Sequence, residues 1–204
     1  MLNSIFDNIY GFIDFSLINA HKPSSVLFVG GCNLRCWFCH NKELVNKEGN
    51  PKSKSELKRI HNFVQDLYEK YNPNYCVTIT GGEPTIYDDL VDFIKYFLEI
   101  DTAVHTNGMR YDMVEKLLDV DNVSKVFVDI KYAPSNYKEK LGVDGTSIER
   151  ICELNPYYPS KLEFRTTVVP DLTAEDVEII KDLVERFKLN HTFQKYIPPK
   201  RQKF

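Results

Sequence analysis

Residues 31–41 read GCNLRCWFCHN and gather Cys32, Cys36 and Cys39, three of the chain's five cysteines, with His40 directly after. Thiolates this close can bind a metal, hold a cluster or cycle as a redox pair. A structural zinc site takes four convergent ligands. Cys32, Cys36, Cys39 and His40 supply four donors, but adjacent Cys39 and His40 do not easily face one ion. Cys36 and Cys39 have the C-x-x-C spacing of a redox pair, which leaves Cys32 without a role. An iron–sulfur cube uses four ligands, usually cysteine, so three cysteines leave one iron open to a substrate or cofactor. Zinc and cluster both stay open on spacing alone. Cys76 and Cys152 stand apart and read as buried apolar thiols.

The elements that must position this loop alternate in type. Six short runs rich in β-formers are predicted strands: 25–29, 75–80, 103–106, 125–130, 162–169 and 192–197. Several end in glycine turns, such as Gly30-Gly31, Gly81-Gly82 and Asn107-Gly108. Helical spacing fills the gaps. Ser53 and Glu56 make a capping-box pair before Leu57, Ile60, Val64 and Leu67. Leu90, Ile94, Phe97 and Leu98 mark a second helix, Met113, Leu117 and Leu118 a third, and Ile148, Ile151 and Leu154 a fourth. Thr173 caps a fifth, which carries Val177, Ile180, Leu183, Val184 and Phe187.

Strands alternating with helices imply an α/β fold with a parallel sheet. Six βα units are too few for a full eight-fold barrel, so the expectation is a partial (β/α)6 TIM-type barrel, with an open doubly wound sheet as the other possibility. Either way the loops after the strands share one face. The cysteines follow the first strand and Gly81-Gly82-Glu83-Pro84 the second, which puts both motifs there.

At 204 residues the chain fits a single domain, with a core over about 20–197 and an N-terminal extension over 1–19. The net charge of −3 gives no case for nucleic acid, despite Lys195, Lys200, Arg201 and Lys203 near the end. No apolar run approaches the roughly 20 residues that span a bilayer. An odd cysteine count, crowded in one loop, argues against a disulfide framework and for a reducing cytoplasmic setting.

C-x-x-x-C-x-x-C with Phe38 before its last cysteine, followed by TGGEPT, resembles the radical S-adenosylmethionine (SAM) enzymes. HTNG at 105–108, VDIKYAPSNYKEKLG at 128–142 and EFRTTVVP at 163–170 continue the likeness, as does GFIDFSLI near the start. In this order and spacing they resemble the activating proteins of glycyl radical enzymes. The likeness is strongest to those that serve anaerobic ribonucleoside-triphosphate reductase, with pyruvate formate-lyase activating enzymes near.

The resemblance implies a radical SAM core in which Cys32, Cys36 and Cys39 ligate three irons of a [4Fe–4S] cluster. The amino and carboxylate groups of SAM chelate the fourth. It also implies a cofactor site built from Phe38, Thr80, Gly81, Gly82, Glu83, Pro84, Thr106, Asn107, Asp129, Lys131 and Arg165. Glu83 and nearby carbonyls would accept from the SAM ammonium, and Phe38 would pack on the adenine. An arginine inside an apolar strand needs an anion, and the SAM carboxylate would serve Arg165. Gln194 resembles a further family position, and His40 can hydrogen-bond near the cluster without ligating it. Many relatives carry Asp where this chain has His105, which removes a carboxylate that in some relatives helps bind a monovalent cation.

The implied partners are a glycyl radical enzyme, most closely anaerobic ribonucleotide reductase, and a flavodoxin or ferredoxin as electron donor, in an anaerobic cytoplasm. The competing readings are a small-molecule radical SAM enzyme and, from another class, a zinc-binding interaction module.

Overall fold

The computed structural model describes residues 4–17, 21–96 and 99–198. Phe97 and Leu98 of the second helical pattern, and Lys200, Arg201 and Lys203, lie outside the described residues. Seven strands form one sheet: β1 (Ile9–Ser16), β2 (Ser24–Val29), β3 (Cys76–Gly81), β4 (Thr102–Thr106), β5 (Val123–Asp129), β6 (Leu162–Val168) and β7 (His191–Lys195). Between them run α1 (Lys42–Val45), α2 (Lys54–Tyr71), α3 (Leu90–Tyr96), α4 (Tyr111–Leu118), α5 (Tyr137–Leu141), α6 (Thr146–Leu154) and α7 (Ala174–Phe187).

The sheet order is β1 to β7 in sequence, with β2 to β7 all parallel. A doubly wound sheet reverses its order at a switch point. Here no reversal occurs, so each right-handed crossover lays its helix on the same outer face and the sheet curls as a barrel does. Among the described residues β1 and β7 each have one neighbour, which makes the barrel partial. That agrees with the six parallel strands read from the sequence.

β1 is an addition. It lies in the stretch read as an extension and pairs antiparallel with β2 through irregular register. Its alternation is hard to see because a register shift between Ile9 and Gly11 breaks the period and apolar residues fall on both faces: Ile9 and Phe12, opposite Val29 and Leu27, pack on the core, whereas Ile13, opposite Val26, is exposed.

Strand register sorts the two faces. Val77, Ile79, Val104, Val126, Val128, Leu162 and Phe164 are fully buried in the core, toward the helices. The alternate residues Thr80, His105, Asp129 and Thr167 face the concave side and line a cavity at the strands' C-terminal ends. Helix caps fix where the outer layer starts. Ser53 and Glu56 form the expected capping box on α2, and Thr173 and Asp176 form a second on α7. Each cap contributes about 1 kcal/mol. Asp176 also accepts from the Ala133 N–H and from Asn136 Nδ2, so it ties α7 to the segment after β5.

Candidate active site

The loop after β2 carries the cysteines. A turn closes between Cys39 N–H and the Cys36 carbonyl at 3.2 Å. All three thiols are free, half-buried and line the same cavity. Two are approached by backbone donors: Leu34 N–H reaches Cys32 Sγ and Asn41 N–H reaches Cys39 Sγ, each at 3.3 Å. Burial pushes the Cys32 thiol up to about 12, against the pull of the Leu34 N–H. Burial raises Cys36 as well, while nearby Lys131 lowers it. Such thiols carry protons until a metal displaces them. Among the described residues no three His, Cys, Asp or Glu side chains are gathered for a single ion. A cube does not ask for that, because each thiolate takes a different iron.

The loop after β3 is laid against the cysteine loop backbone to backbone. Gly82 N–H donates to the Val29 carbonyl and Glu83 N–H to the Gly31 carbonyl, both at 2.8 Å. The approach excludes any side chain: a Cβ on Gly82 would stand 1.9 Å from the Gly31 oxygen. Gly81 has φ +115° and its added Cβ would lie 2.6 Å from the Val29 backbone. Asn41 fastens the far end of the cysteine loop by donating from Nδ2 to the Gly81 carbonyl at 3.0 Å.

Glu83 is 1% exposed, and its carboxylate is fully engaged within the chain. Oε1 accepts from Thr85 N–H (3.1 Å), Thr85 Oγ1 (2.7 Å) and Thr106 Oγ1 (2.7 Å). Oε2 accepts from Asn107 N–H at 2.6 Å. Burial pushes its carboxyl upward, and these donors oppose the rise. The motif acid thus joins the β3 loop to the β4 loop. Asn107, beyond β4, continues the chain of contacts to Asn33 Oδ1 at 2.7 Å and Cys32 Sγ at 3.8 Å.

The part of the lining that follows β5 is charged. Asp129 at the end of β5 stands in register with Arg165 on β6. Its Oδ1 accepts from Arg165 Nε at 3.2 Å and pairs with Nη2 at 3.1 Å, and its Oδ2 accepts from Lys131 Nζ at 2.9 Å. Burial pushes the Asp129 carboxyl up, but the Lys131 and Arg165 charges outweigh it and hold it well below the usual range. Burial pulls Lys131 down, and Asp129 more than offsets that. Two fixed cations face one carboxylate, so this wall carries an excess positive charge. Arg165 therefore already has a protein anion, Asp129, which sequence reasoning had not joined to it because the pair meets across strands.

Cys32, Cys36, Cys39, Phe38, Thr80, Gly81, Gly82, Glu83, Thr106, Asn107, Asp129 and Lys131 all line the one cavity. Two expected residues stand behind it. Pro84 is buried at the first position of a 3-10 turn, and Arg165 acts on the wall through Asp129. Phe38 is 6% exposed, edge-on to Trp37 and Tyr132, with Lys131 Nζ 6.0 Å from its ring centre. Gln194 is exposed on β7, in register with Thr167. Thr167 lines the cavity and was not foreseen, although its alternation with Arg165 was available in the sequence.

A profile of the Radical SAM superfamily matches residues 26–184, and the chain belongs to that superfamily. Its relatives include activating enzymes and also probable GTP 3',8-cyclases, such as that of Thermococcus kodakarensis, which is 31% identical over 76% of this chain and 49% of its own length. A Methanocaldococcus jannaschii protein provisionally named a glycyl-radical enzyme activating enzyme is 30% identical, over 92% of this chain and 79% of its own length. The pyruvate formate-lyase-activating enzyme of Clostridium pasteurianum is 26% identical, over 90% of this chain and 79% of its own. The fold matches that of Streptococcus suis SuiB bound to its precursor peptide SuiA, with a TM-score of 0.65 and 18% identity. That match covers 88% of this chain and 42% of the SuiB chain.

The chain is thus an enzyme of the radical SAM family, whose cofactors are a [4Fe–4S] cluster and SAM. The residues present fit both. Three thiols, two of them met by N–H donors, suit an iron–sulfur cluster. A glycine cradle beside a wall with spare positive charge suits a carboxylate-bearing ligand.

Proposed function

We propose that this chain is an activating enzyme that generates a glycyl radical on a partner enzyme. Cys32, Cys36 and Cys39 would hold three irons of the cluster, and SAM would complete the fourth. When bound and reduced, the pair supplies an electron that cleaves the sulfonium of SAM and yields a carbon radical able to remove a glycine α-hydrogen. The observation that carries the reading is one cavity walled by all three cysteine thiols and by Asp129 and Lys131, with Arg165 paired to Asp129 behind them. The two activating-enzyme relatives, matched over most of their lengths, support the reaction class.

Each residue then has a task on this proposal. Gly81 and Gly82 let backbone approach the cofactor. Lys131 and Arg165 attract its carboxylate, and Asp129 keeps their charges from repelling each other. Phe38 gives an apolar surface for a flat base. Thr80, Thr106 and Asn107 offer polar contacts around it, with Glu83 and Pro84 holding the loop.

The CHN, DIK and FRTTVVP segments support an activating protein, and the partner proposed for it is anaerobic ribonucleotide reductase, with a flavodoxin or ferredoxin as the reductant, in an anaerobic cytoplasm. Among the described residues no helix is long and apolar enough to cross a membrane. The test is to mix the reduced, cluster-loaded protein anaerobically with SAM and either candidate partner, then record electron paramagnetic resonance spectra. A glycyl radical on the reductase supports the full reading. A radical on pyruvate formate-lyase alone keeps the class and changes the partner. SAM cleavage with no protein radical on either would contradict the activating role.

A further inference from the structure

The donors around the cysteine sulfurs differ in kind. Those from Leu34 and Asn41 are backbone N–H groups that come with the loop itself. The third comes from a side chain on a different strand end: Asn107 Nδ2, 3.8 Å from Cys32 Sγ. Such a donor has to be aimed, and Asn107 is held on every side. Its own N–H is fixed by Glu83 Oε2 at 2.6 Å. Its Oδ1 accepts from Met109 N–H at 3.0 Å. A main-chain N–H can only donate, so the amide oxygen must face Met109. The NH2 group must then face Asn33 Oδ1 and Cys32 Sγ, both of which can accept. Asn107 is also 6% exposed, so water competes little for these hydrogens.

We propose that Asn107 is a positioning residue that tunes the cluster: its amide donates to the Cys32 thiolate and raises the cluster's reduction potential. The inference rests on the assignment of the three cysteines as cluster ligands. The physical ground is charge. Reduction adds negative charge that the sulfurs share, so an N–H donor stabilises the reduced state more than the oxidised one. Glu83 contributes indirectly, because its buried carboxylate fixes the backbone from which the Asn107 side chain springs.

The experiment is a redox titration without SAM, so that any contact of Asn107 with SAM does not enter. The parent protein and the variants Asn107→Ala, Asn107→Asp and Asn41→Ala are reconstituted anaerobically and assayed for iron and sulfide. The reduced-to-oxidised ratio is then read by electron paramagnetic resonance at fixed solution potentials. At one potential the ratio should fall several-fold in Asn107→Ala. It should fall further in Asn107→Asp, whose second oxygen would face the sulfur. Asn41→Ala, which loses a loop contact but no side-chain donor to sulfur, should stay near the parent. Parent-like ratios in both Asn107 variants would overturn the proposal, as would an equal shift in Asn41→Ala. Loss of the cluster from both Asn107 variants would overturn it too, because Asn107 would then be scaffold. A parent protein that takes up no cluster would instead remove the cysteine assignment beneath it.

Discussion

Two acids line the cavity, and their surroundings differ. Glu83 on the β3–β4 side meets four neutral donors from within the chain, two of them main-chain N–H groups. Asp129 on the β5–β6 side meets two cations and leaves positive charge to spare. The first wall is a frame, closed by glycine contacts too tight for any side chain. The second is an electrostatic surface still able to bind an anion. Two acids of one cavity thus serve differently, according to what surrounds each.

The comparison can be broken at several points. The largest effect removes what both walls face. Cys36→Ala should abolish cluster assembly and SAM cleavage, checked by iron and sulfide content and by product chromatography. SAM cleavage by a reconstituted Cys36→Ala protein would sink the assignment.

Next comes the frame. Glu83→Gln keeps shape but must turn an NH2 toward either the Thr85 or the Asn107 N–H. It should cost about 2–4 kcal/mol of stability, read by denaturant unfolding. A loss under about 0.5 kcal/mol would mean that the donors around Glu83 do not hold the loops.

The charged wall should respond in the opposite way. Lys131→Met removes one of two cations and leaves Asp129 paired with Arg165. Because Asp129 keeps Arg165 as a partner, the stability loss should stay below that of Glu83→Gln, at about 1–2 kcal/mol. The affinity of the cluster-loaded protein for SAM should fall roughly tenfold, equivalent to about 1.4 kcal/mol. Unchanged affinity by titration would move the carboxylate site elsewhere.

The smallest effect is in acid. Asp129 has its pKa depressed in the fold, so its stabilising contribution is complete above the unfolded value of about 4 and is lost as pH falls through the folded value. The stability gap between parent and Asp129→Asn should thus be flat from pH 5 to 7 and shrink below about pH 4. A gap that widens in acid would contradict the pairing.

Much of this was legible beforehand. The six parallel strands, the Ser53 and Thr173 caps and the cysteine and glycine motifs are local patterns, and they stand where the sequence put them. What escaped was non-local. β1 hid because its apolar residues serve both faces. The Asp129–Arg165 pair depends on the register between β5 and β6. The donors around Glu83, from Thr85, Thr106 and Asn107, converge only after β3 and β4 pair. Asn41 had no evident task until the Gly81 carbonyl came within its reach.

The central claim is that the three-cysteine loop holds a cluster that cleaves SAM. Its most direct test is anaerobic: reconstitute with iron and sulfide, reduce with dithionite, add SAM and look for 5′-deoxyadenosine. The account predicts that product from the parent protein and none from single Ala variants of Cys32, Cys36 or Cys39. A protein that binds one zinc, takes up no iron–sulfur cluster and leaves SAM intact would contradict it.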